Sequence, residues 1–479
     1  MHTFMRKNAL IMALLFYGCA PPAQRELAER IPSVPIADCQ TMVEQISWPP
    51  ADFWKMLDDP QLDQLIELAL QENPTLQQAA AKIEWGKQLA RQQKATLLPH
   101  LHLNADENWQ HFSKNGFVRS FYPPSPDIIV PAGTNQLDLT LNFEYEFDFW
   151  GKNRKKLQAA LGVVKTLIAE EAEAQLSIAT YLTEVYIELQ ASLAEQKLLE
   201  STRQTCAQRD QLNHRRASAG VDSAFPQFAT EQQLYLIDQL LAIKQQEITL
   251  ARHLIGVLIG KGPQGGDSIL FQEDAYCWTE RLAVPLALAI DLVAQRPDLQ
   301  AQIWRIESAS KEIGVARREF YPNINLCAFA GLESLAYADL LRSSSIMGGL
   351  VPALHLPLFT GGRLTANLRA KEAYYNEMVF AYNEQLLHAA QEVADQLTIL
   401  QQKLKEIQWQ DQKVNTAERS YRLEARCFES GIRTQLAVLS EEEALLSEQL
   451  TLIEKQKEYG LAAIGLIKAL GGGYLGNKS

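Results

Sequence analysis

The sequence predicts a mixed fold, transmembrane β-strands joined to very long α-helices in two internal repeats, and three observations carry that reading. Leu137, Leu139, Leu141, Phe143, Tyr145, Phe147 and Phe149 alternate with Asp138, Thr140, Asn142, Glu144, Glu146 and Asp148, so one strand face is wholly apolar and the other wholly polar. From Lys152 to Ser218 the pattern is helical, with no proline and only Gly162 to weaken it. At 1.5 Å per residue such a helix spans roughly 100 Å, far beyond a globular helix. An offset of 223 positions then aligns Pro74-Thr75-Leu76-Gln77 with Pro297-Asp298-Leu299-Gln300, Ile83-Glu84 with Ile306-Glu307, and Pro99 with Pro322, without a gap.

The elements follow in order. Residues 1–18 read as a lipoprotein signal peptide: Arg6 and Lys7 precede a short apolar run, Ala9–Tyr17, and then Gly18-Cys19-Ala20-Pro21-Pro22. Acylation of Cys19 after cleavage is expected. Phe16 and Tyr17 stand where a leucine and a small residue are usual, which leaves ordinary cleavage with an incidental Cys19 as the other reading. Residues 19–53 form a proline-rich leader. Repeat 1, 54–262, holds helices opened by Asp59-Pro60 and Asn73-Pro74, strands 100–113 and 135–150 around a proline-rich loop, a long helix 152–218 and a return helix 227–259. A connecting segment, 263–285, leads to repeat 2, 286–471, with strands 323–332 and 349–359, a long helix 363–429 and a return helix 435–470; 472–479 is a tail.

The repeat offset falls to 209 for Phe149-Trp150 against Leu358-Phe359 and for Arg154 against Arg363, then is 211 for Gly220 against Gly431 and Gly260 against Gly471. Only two copies of so long a unit argue against an open array. Four strands per chain cannot close a transmembrane barrel, whereas three chains would supply twelve, with the helices continuing the tube as an α-helical barrel on one side. Alternation alone fits a soluble sandwich equally well. The length of the 137–149 strand, and a polar side with four carboxylates and no lysine or arginine, fit a wall between lipid and an aqueous lumen.

Composition narrows the rest. Charged residues are 21% and the net charge is −12, which argues against a nucleic-acid partner and gives no polybasic membrane patch. Cys39, Cys206, Cys277, Cys327 and Cys427 are scattered without a CxxC pair, so free thiols are expected rather than disulfides or zinc. After the signal no stretch of eighteen apolar residues occurs, and any crossing of a membrane falls to strands. Gly361-Gly362 lacks the GK[ST] of a phosphate loop and reads as a backbone turn; His100-x-His102 reads as lumen-facing polar residues rather than a metal site. The seven methionines are too scattered for a soft-metal path. Neither GxSxG nor HExxH occurs, and no enzyme is expected.

Several motifs in order now resemble one family: Trp54 with Asp59-Pro60, Asn73-Pro74, Tyr145–Arg154, Arg296-Pro297-Asp298, Pro322, Leu356–Leu364, Glu392-Val393-Ala394 and Leu466–Gly473. The chain resembles the outer-membrane efflux proteins, the TolC-like channels, and within them the lipidated NodT-like branch of RND-type efflux outer-membrane factors. The resemblance implies a homotrimeric duct in the outer membrane, reaching into the periplasm and docking through a periplasmic membrane-fusion adaptor onto an inner-membrane RND-type transporter. No cofactor is implied beyond a covalent lipid on Cys19. Drug or small-molecule efflux is the favoured role; the same duct serving type I protein secretion is the alternative, and a periplasmic scaffold lipoprotein would leave the 137–149 strand unexplained.

The resemblance also implies a periplasmic aperture at the turns Ala219–Pro226 and Ser430–Leu436. Arg433 matches the family's closing arginine, Phe428 stands where a tyrosine is common, and Ala437 and Ser440 replace frequent aspartates; Asp222 and Glu441–Glu443 are nearby substitutes. Asp222, Arg433 and the Glu441–Glu443 run could then form an electrostatic gate, with opposite charges across neighbouring helix ends stabilising the closed tip, or these charges are simply solvated helix ends. At the strand-to-helix junctions, Trp150 and Phe359 are expected to mark the inner membrane edge, Gly151 and Gly361-Gly362 to supply the turn, and Arg154 and Arg363 to open the helices.

Overall fold

The computed structural model describes residues 21–23, 25–32, 50–113, 132–270, 282 and 296–474. Cys19, Cys39 and Cys277, the signal peptide, most of the connecting segment and the tail beyond 474 lie outside them. Among the described residues Cys206, Cys327 and Cys427 are free thiols.

After a short 3₁₀ turn, Phe53–Leu57, helix α1 runs Pro60–Glu72. Its start is set by chemistry: the Asp59 carboxylate accepts from the backbone N–H of Gln61 (2.9 Å) and Leu62 (3.3 Å), and Pro60 occupies a position where no amide is needed. Asn73 ends α1 and accepts from the Thr75 amide at 2.8 Å as α2, Pro74–Ala95, begins. Strands β1, His100–His111, and β2, Gly133–Phe147, lead to α3, Lys152–Ser218, and α4, Phe225–Leu258. The same series follows with α5, Pro297–Arg318; β3, Asn323–Ser334; β4, Ile346–His355; α6, Arg363–Glu429; and α7, Gln435–Ala469.

Helices α3 and α6 each hold 67 residues, over the spans expected. The strands differ from expectation at their ends. The strand expected at 135–150 stops at Phe147, because Asp148 turns back to bind the amides of α3; the one expected at 349–359 stops at His355, ahead of Pro357, and begins at Ile346. Strand β1 ends at His111 rather than 113, and β3 continues to Ser334 rather than 332.

The chain divides into two compact units. One, residues 1–29, 84–165 and 304–379, contains the antiparallel sheet in the order β1-β2-β3-β4. Its register places Leu101, Phe143, Ala328 and Leu350 side by side, then Leu103, Leu141, Ala330 and Gly348, and Phe147 with Ile324 and Leu354. From the Phe147–Ile324 row to the Ala105–Leu139–Leu332–Ile346 row that face is apolar and open, with Leu101 65% and Leu350 67% exposed; Glu107 and Asn135 lie on it beyond. The opposite face carries Asp106, Asp138 and Glu333 as direct cross-strand neighbours. An apolar sheet face of this size left uncovered is a lipid-facing wall. Below the sheet, Ile313, Ala316, Phe320, Leu364 and Leu368 form a core against which the leader's Leu27 packs. The leader lies extended on α6, with the Ala28 amide donating to Asn376 Oδ1 (2.8 Å) and Arg369 donating to the Ala23 carbonyl (3.2 Å).

The other unit, residues 30–83, 166–303 and 380–479, is helical and buries Leu182, Tyr186 and Leu189 of α3, Ile248 and Ile255 of α4, and Ile464 and Ile467 of α7. Tyr186 is wholly buried and donates its hydroxyl to Asp59 Oδ2 at 2.5 Å, so the residue that caps α1 also anchors it on α3. No described helix is long and apolar enough to cross a membrane.

Candidate functional site

Two places carry the sequence-predicted residues, and each belongs to one unit. At the first junction the backbone must turn from strand to helix within four residues, and Gly151 supplies the left-handed step with φ +75°. Asp148 holds the turn: its Oδ1 accepts from the Asn153 amide (3.0 Å), its Oδ2 from the Arg154 amide (2.9 Å), and the Arg154 guanidinium reaches both its Oδ2 (3.2 Å) and its carbonyl (2.9 Å). Burial works against ionisation of Asp148, but those amides and Arg154 together hold its carboxyl below the ordinary value. Trp150 is fixed from three sides. Its indole N–H donates to the Pro322 carbonyl (2.8 Å), its carbonyl accepts from Arg318 Nε (2.5 Å), and its ring stacks on Tyr321 with centroids 5.1 Å apart. A cavity of about 230 Å³ opens beside it, with Lys152, Arg318 and Arg363 among its walls.

The second junction is built otherwise. Gly361 and Gly362 both have positive φ, +59° and +86°, and Phe359 is 91% exposed with Arg363 exposed beside it. Gly362 directly precedes α6 as Gly151 precedes α3, so the structural counterpart of Arg363 is Lys152. The expected pairing of Arg154 with Arg363 is corrected: the offset between the long helices is 211 from their first residue, and the two extra positions lie in the junction. Arg154 is the partner of Asp148, a role with no equivalent at Arg363.

At the hairpin tips, Gly220 (φ +69°) and Gly431 (φ +74°) close α3 and α6 alike, with Val221 and Ile432 amides bonding back to the Arg216 and Cys427 carbonyls. Each tip charge is paired on its own hairpin: Asp222 with Arg216 at 3.3 Å, and Arg433 with Glu424 at 3.3 Å. The structure does not bring Asp222 and Arg433 together. Glu441 accepts from the Ser420 hydroxyl (2.7 Å) and Phe428 stays exposed. Glu443, grouped with Glu441 in the sequence, is a different residue in space: it is buried against Arg209 of α3 at 2.7 Å, tying the first hairpin to the second. Burial pushes its carboxyl up, partly offset by Arg209 and by Gln233. Sequence offers no signal for a pair so far apart along the chain, nor for the hold of Arg318 on Trp150. No group of metal-ligating side chains occurs among the described residues.

The outer membrane efflux protein family model matches residues 65–260 and 288–472, both repeats. The chain belongs to the outer membrane efflux protein family. This member is 31% identical over 430 residues to the multidrug resistance outer membrane protein MdtP of Escherichia coli K12, covering 89% of this chain and 87% of that one. It is 29% identical over 475 residues to MdtQ of E. coli O157:H7, covering 97% of each. The crystal structure of the outer membrane protein VceC of Vibrio cholerae superposes with a TM-score of 0.77 at 32% identity, over 89% of this chain and 100% of that one. The Campylobacter jejuni CmeC outer membrane channel shares the fold at 18% identity, with a TM-score of 0.80 and 96% of each chain covered. The protein is an outer-membrane efflux channel.

Proposed function

We propose that three copies of this chain form a lipid-anchored exit duct for drugs or other small molecules, served by a periplasmic adaptor and an RND-type inner-membrane transporter. The observation that carries the reading is the sheet: among the described residues β1 and β4 are the unpaired edges of a four-stranded wall whose apolar face is open. In lipid every backbone group must be paired, so each edge has to meet the opposite edge of another copy, and a ring of three gives a twelve-stranded barrel. The names of the relatives, multidrug resistance for MdtP and fusaric acid resistance for FusA of Burkholderia cepacia, lean toward small molecules over secreted protein. FusA is 28% identical, over 76% of this chain and 68% of that one.

Within such a tube the polar sheet face lines the bore, and the stacked Asp106, Asp138 and Glu333 make it attractive to cations. The wall does no chemistry; the transporter supplies the energy. The tip residues Asp222, Phe428, Arg433 and Glu441 form the periplasmic aperture, where opening must disturb the Arg433–Glu424 pair. The leader supports acylation of Cys19. Its described residues run along α6 toward the start of that helix, the Ala28 amide on Asn376 and the Ala23 carbonyl on Arg369, and Cys19 is four residues away in sequence from the second of these contacts.

The test is expression in a host lacking its own efflux channel, with cognate adaptor and pump. Restored drug resistance, cation-selective pores in planar bilayers and palmitate label lost in Cys19→Ala are expected. A soluble protein without pores would refute the duct, and label retained in Cys19→Ala would refute the anchor.

A further inference from the structure

The two repeats match in sequence offset and element order but not in surface. Offset 223 brings α2 onto α5, with Leu76 and Leu299, Ile83 and Ile306, and Ala90 and Ile313 buried in both copies. Offset 211 brings α3 onto α6, with Leu182 and Val393, and Leu189 and Leu400, buried in both. A second stripe on each helix behaves differently. On the repeat-2 helix α5, Ser308 is buried and donates its hydroxyl to the Ala159 carbonyl of α3 at 2.9 Å. A Cβ placed on Gly162 of α3 would stand 3.0 Å from Ser308 Cβ, and one on Gly314 would stand 3.4 Å from the Lys155 stem. A repeat-2 helix therefore crosses a repeat-1 helix at close range, through small residues.

The mirror contact, a repeat-1 helix on a repeat-2 helix, is prepared on both sides and left open. The counterpart of Ser308 is Trp85 on α2, 61% exposed, and the counterpart of Gly314 is Arg91, also exposed. The counterparts of Lys155, Ala159 and Gly162 are Ala366, Ala370 and Ala373 on α6, a shelf of small residues at helical spacing, all exposed. We infer that Trp85 of one chain seats on the Ala366–Ala370–Ala373 shelf of a second copy, α2 crossing the neighbour's α6 as α5 crosses α3 within the chain. The inference rests on the trimeric reading above and names the helical contact that closes it. The chemistry fits: an indole too large for the Ser308–Gly162 crossing meets alanines that leave it room, and its large apolar surface leaves water. Each chain offers the knob once and the shelf once, so the contact is head-to-tail and closes into a ring.

The test is disulfide trapping in membranes. In a full-length chain with Cys39, Cys206, Cys277, Cys327 and Cys427 replaced by serine, Trp85→Cys with Ala373→Cys is oxidised and run on a denaturing gel. Interchain dimers and trimers are expected from the double variant and neither from Trp85→Cys or Ala373→Cys alone. Both side chains are exposed in the single chain, so its fold tolerates the changes. A second measurement uses charge: Trp85→Glu should deplete trimer, and adding Ala373→Arg should recover it. A double variant that is trimeric by native mass yet gives no interchain bands overturns the contact, as does a full trimer yield from Trp85→Glu. A parent chain that is itself monomeric in the membrane overturns the trimeric reading instead.

Discussion

Removing the Arg296 guanidinium should loosen the C-terminal end of α7. Arg296 makes a two-pronged pair with Asp298, Nη2 to Oδ2 at 2.8 Å and Nε to Oδ1 at 3.1 Å, while Nη1 binds Glu392 at 2.7 Å and the Ala469 carbonyl at 3.0 Å. The guanidinium is 12% exposed and Asp298 18%, so this is a largely desolvated clamp. Burial opposes the Asp298 charge, but Arg296 outweighs it and holds the carboxyl below its ordinary value. Arg296→Ala strands that carboxylate and leaves the Ala469 carbonyl of α7 without its side-chain donor. Breaking a buried pair from one side costs about 3–5 kcal/mol; with the partial exposure and a Glu392 arm in solvent, about 2–3 kcal/mol is the fitting figure. That raises local opening roughly 30- to 150-fold. Hydrogen exchange on the assembled channel reads it directly, as faster exchange of the α7 amides near Ala469 and of Gly471 and Gly472. Arg296→Lys should restore little, since an ammonium cannot span both Asp298 oxygens and Ala469. Unchanged exchange in Arg296→Ala would refute the clamp.

Three further outcomes follow from the junctions and tips. Asp148 has its folded value lowered, so its contribution is complete above the unfolded value near 3.8 and is lost as pH falls through the lower folded value; Asp148→Asn should flatten the acid side of a heat-stability profile, and an unaltered profile counts against the cap. Gly151→Val forces a β-branched residue to φ +75° where the nearest side chain leaves room, so the cost is backbone strain, on the order of 1–3 kcal/mol, and should appear as reduced yield of heat-resistant trimer. Arg433→Ala frees Glu424 at the tip and should raise single-channel conductance of the closed channel; identical conductance would remove Arg433 from the aperture.

How much of this was legible in the chain depends on the range of the interaction. The long helices were readable to their ends because Gly151, Gly220, Gly362 and Gly431 punctuate an uninterrupted pattern. The ends of β1, β2 and β4 were read too far: Phe149 continues the alternation of β2, and nothing local says that Asp148 prefers two helix amides to the ladder. The same cause misplaced Arg154, whose likeness to Arg363 is one of residue type and not of position. At the tips the sequence shows the charges but not their partners within the chain: Asp222 and Arg433 each pair on their own hairpin. Arg209 with Glu443 joins residues on different hairpins and leaves no periodic trace. The sequence run Glu441–Glu443 looked like one charged patch because the helix had not yet been turned to show that Glu443 points inward.

The bare rims of β1 and β4 have a genetic consequence. A ring of three has no tolerance for a copy whose rim is spoiled, because each rim serves two chains. In a cell making equal amounts of sound and rim-damaged chains, only about one ring in eight is built wholly of sound ones. Lesions in β1 or β4 should therefore act as dominant poisons, whereas lesions confined to the periplasmic tips, which leave assembly intact, should be far milder in mixed expression.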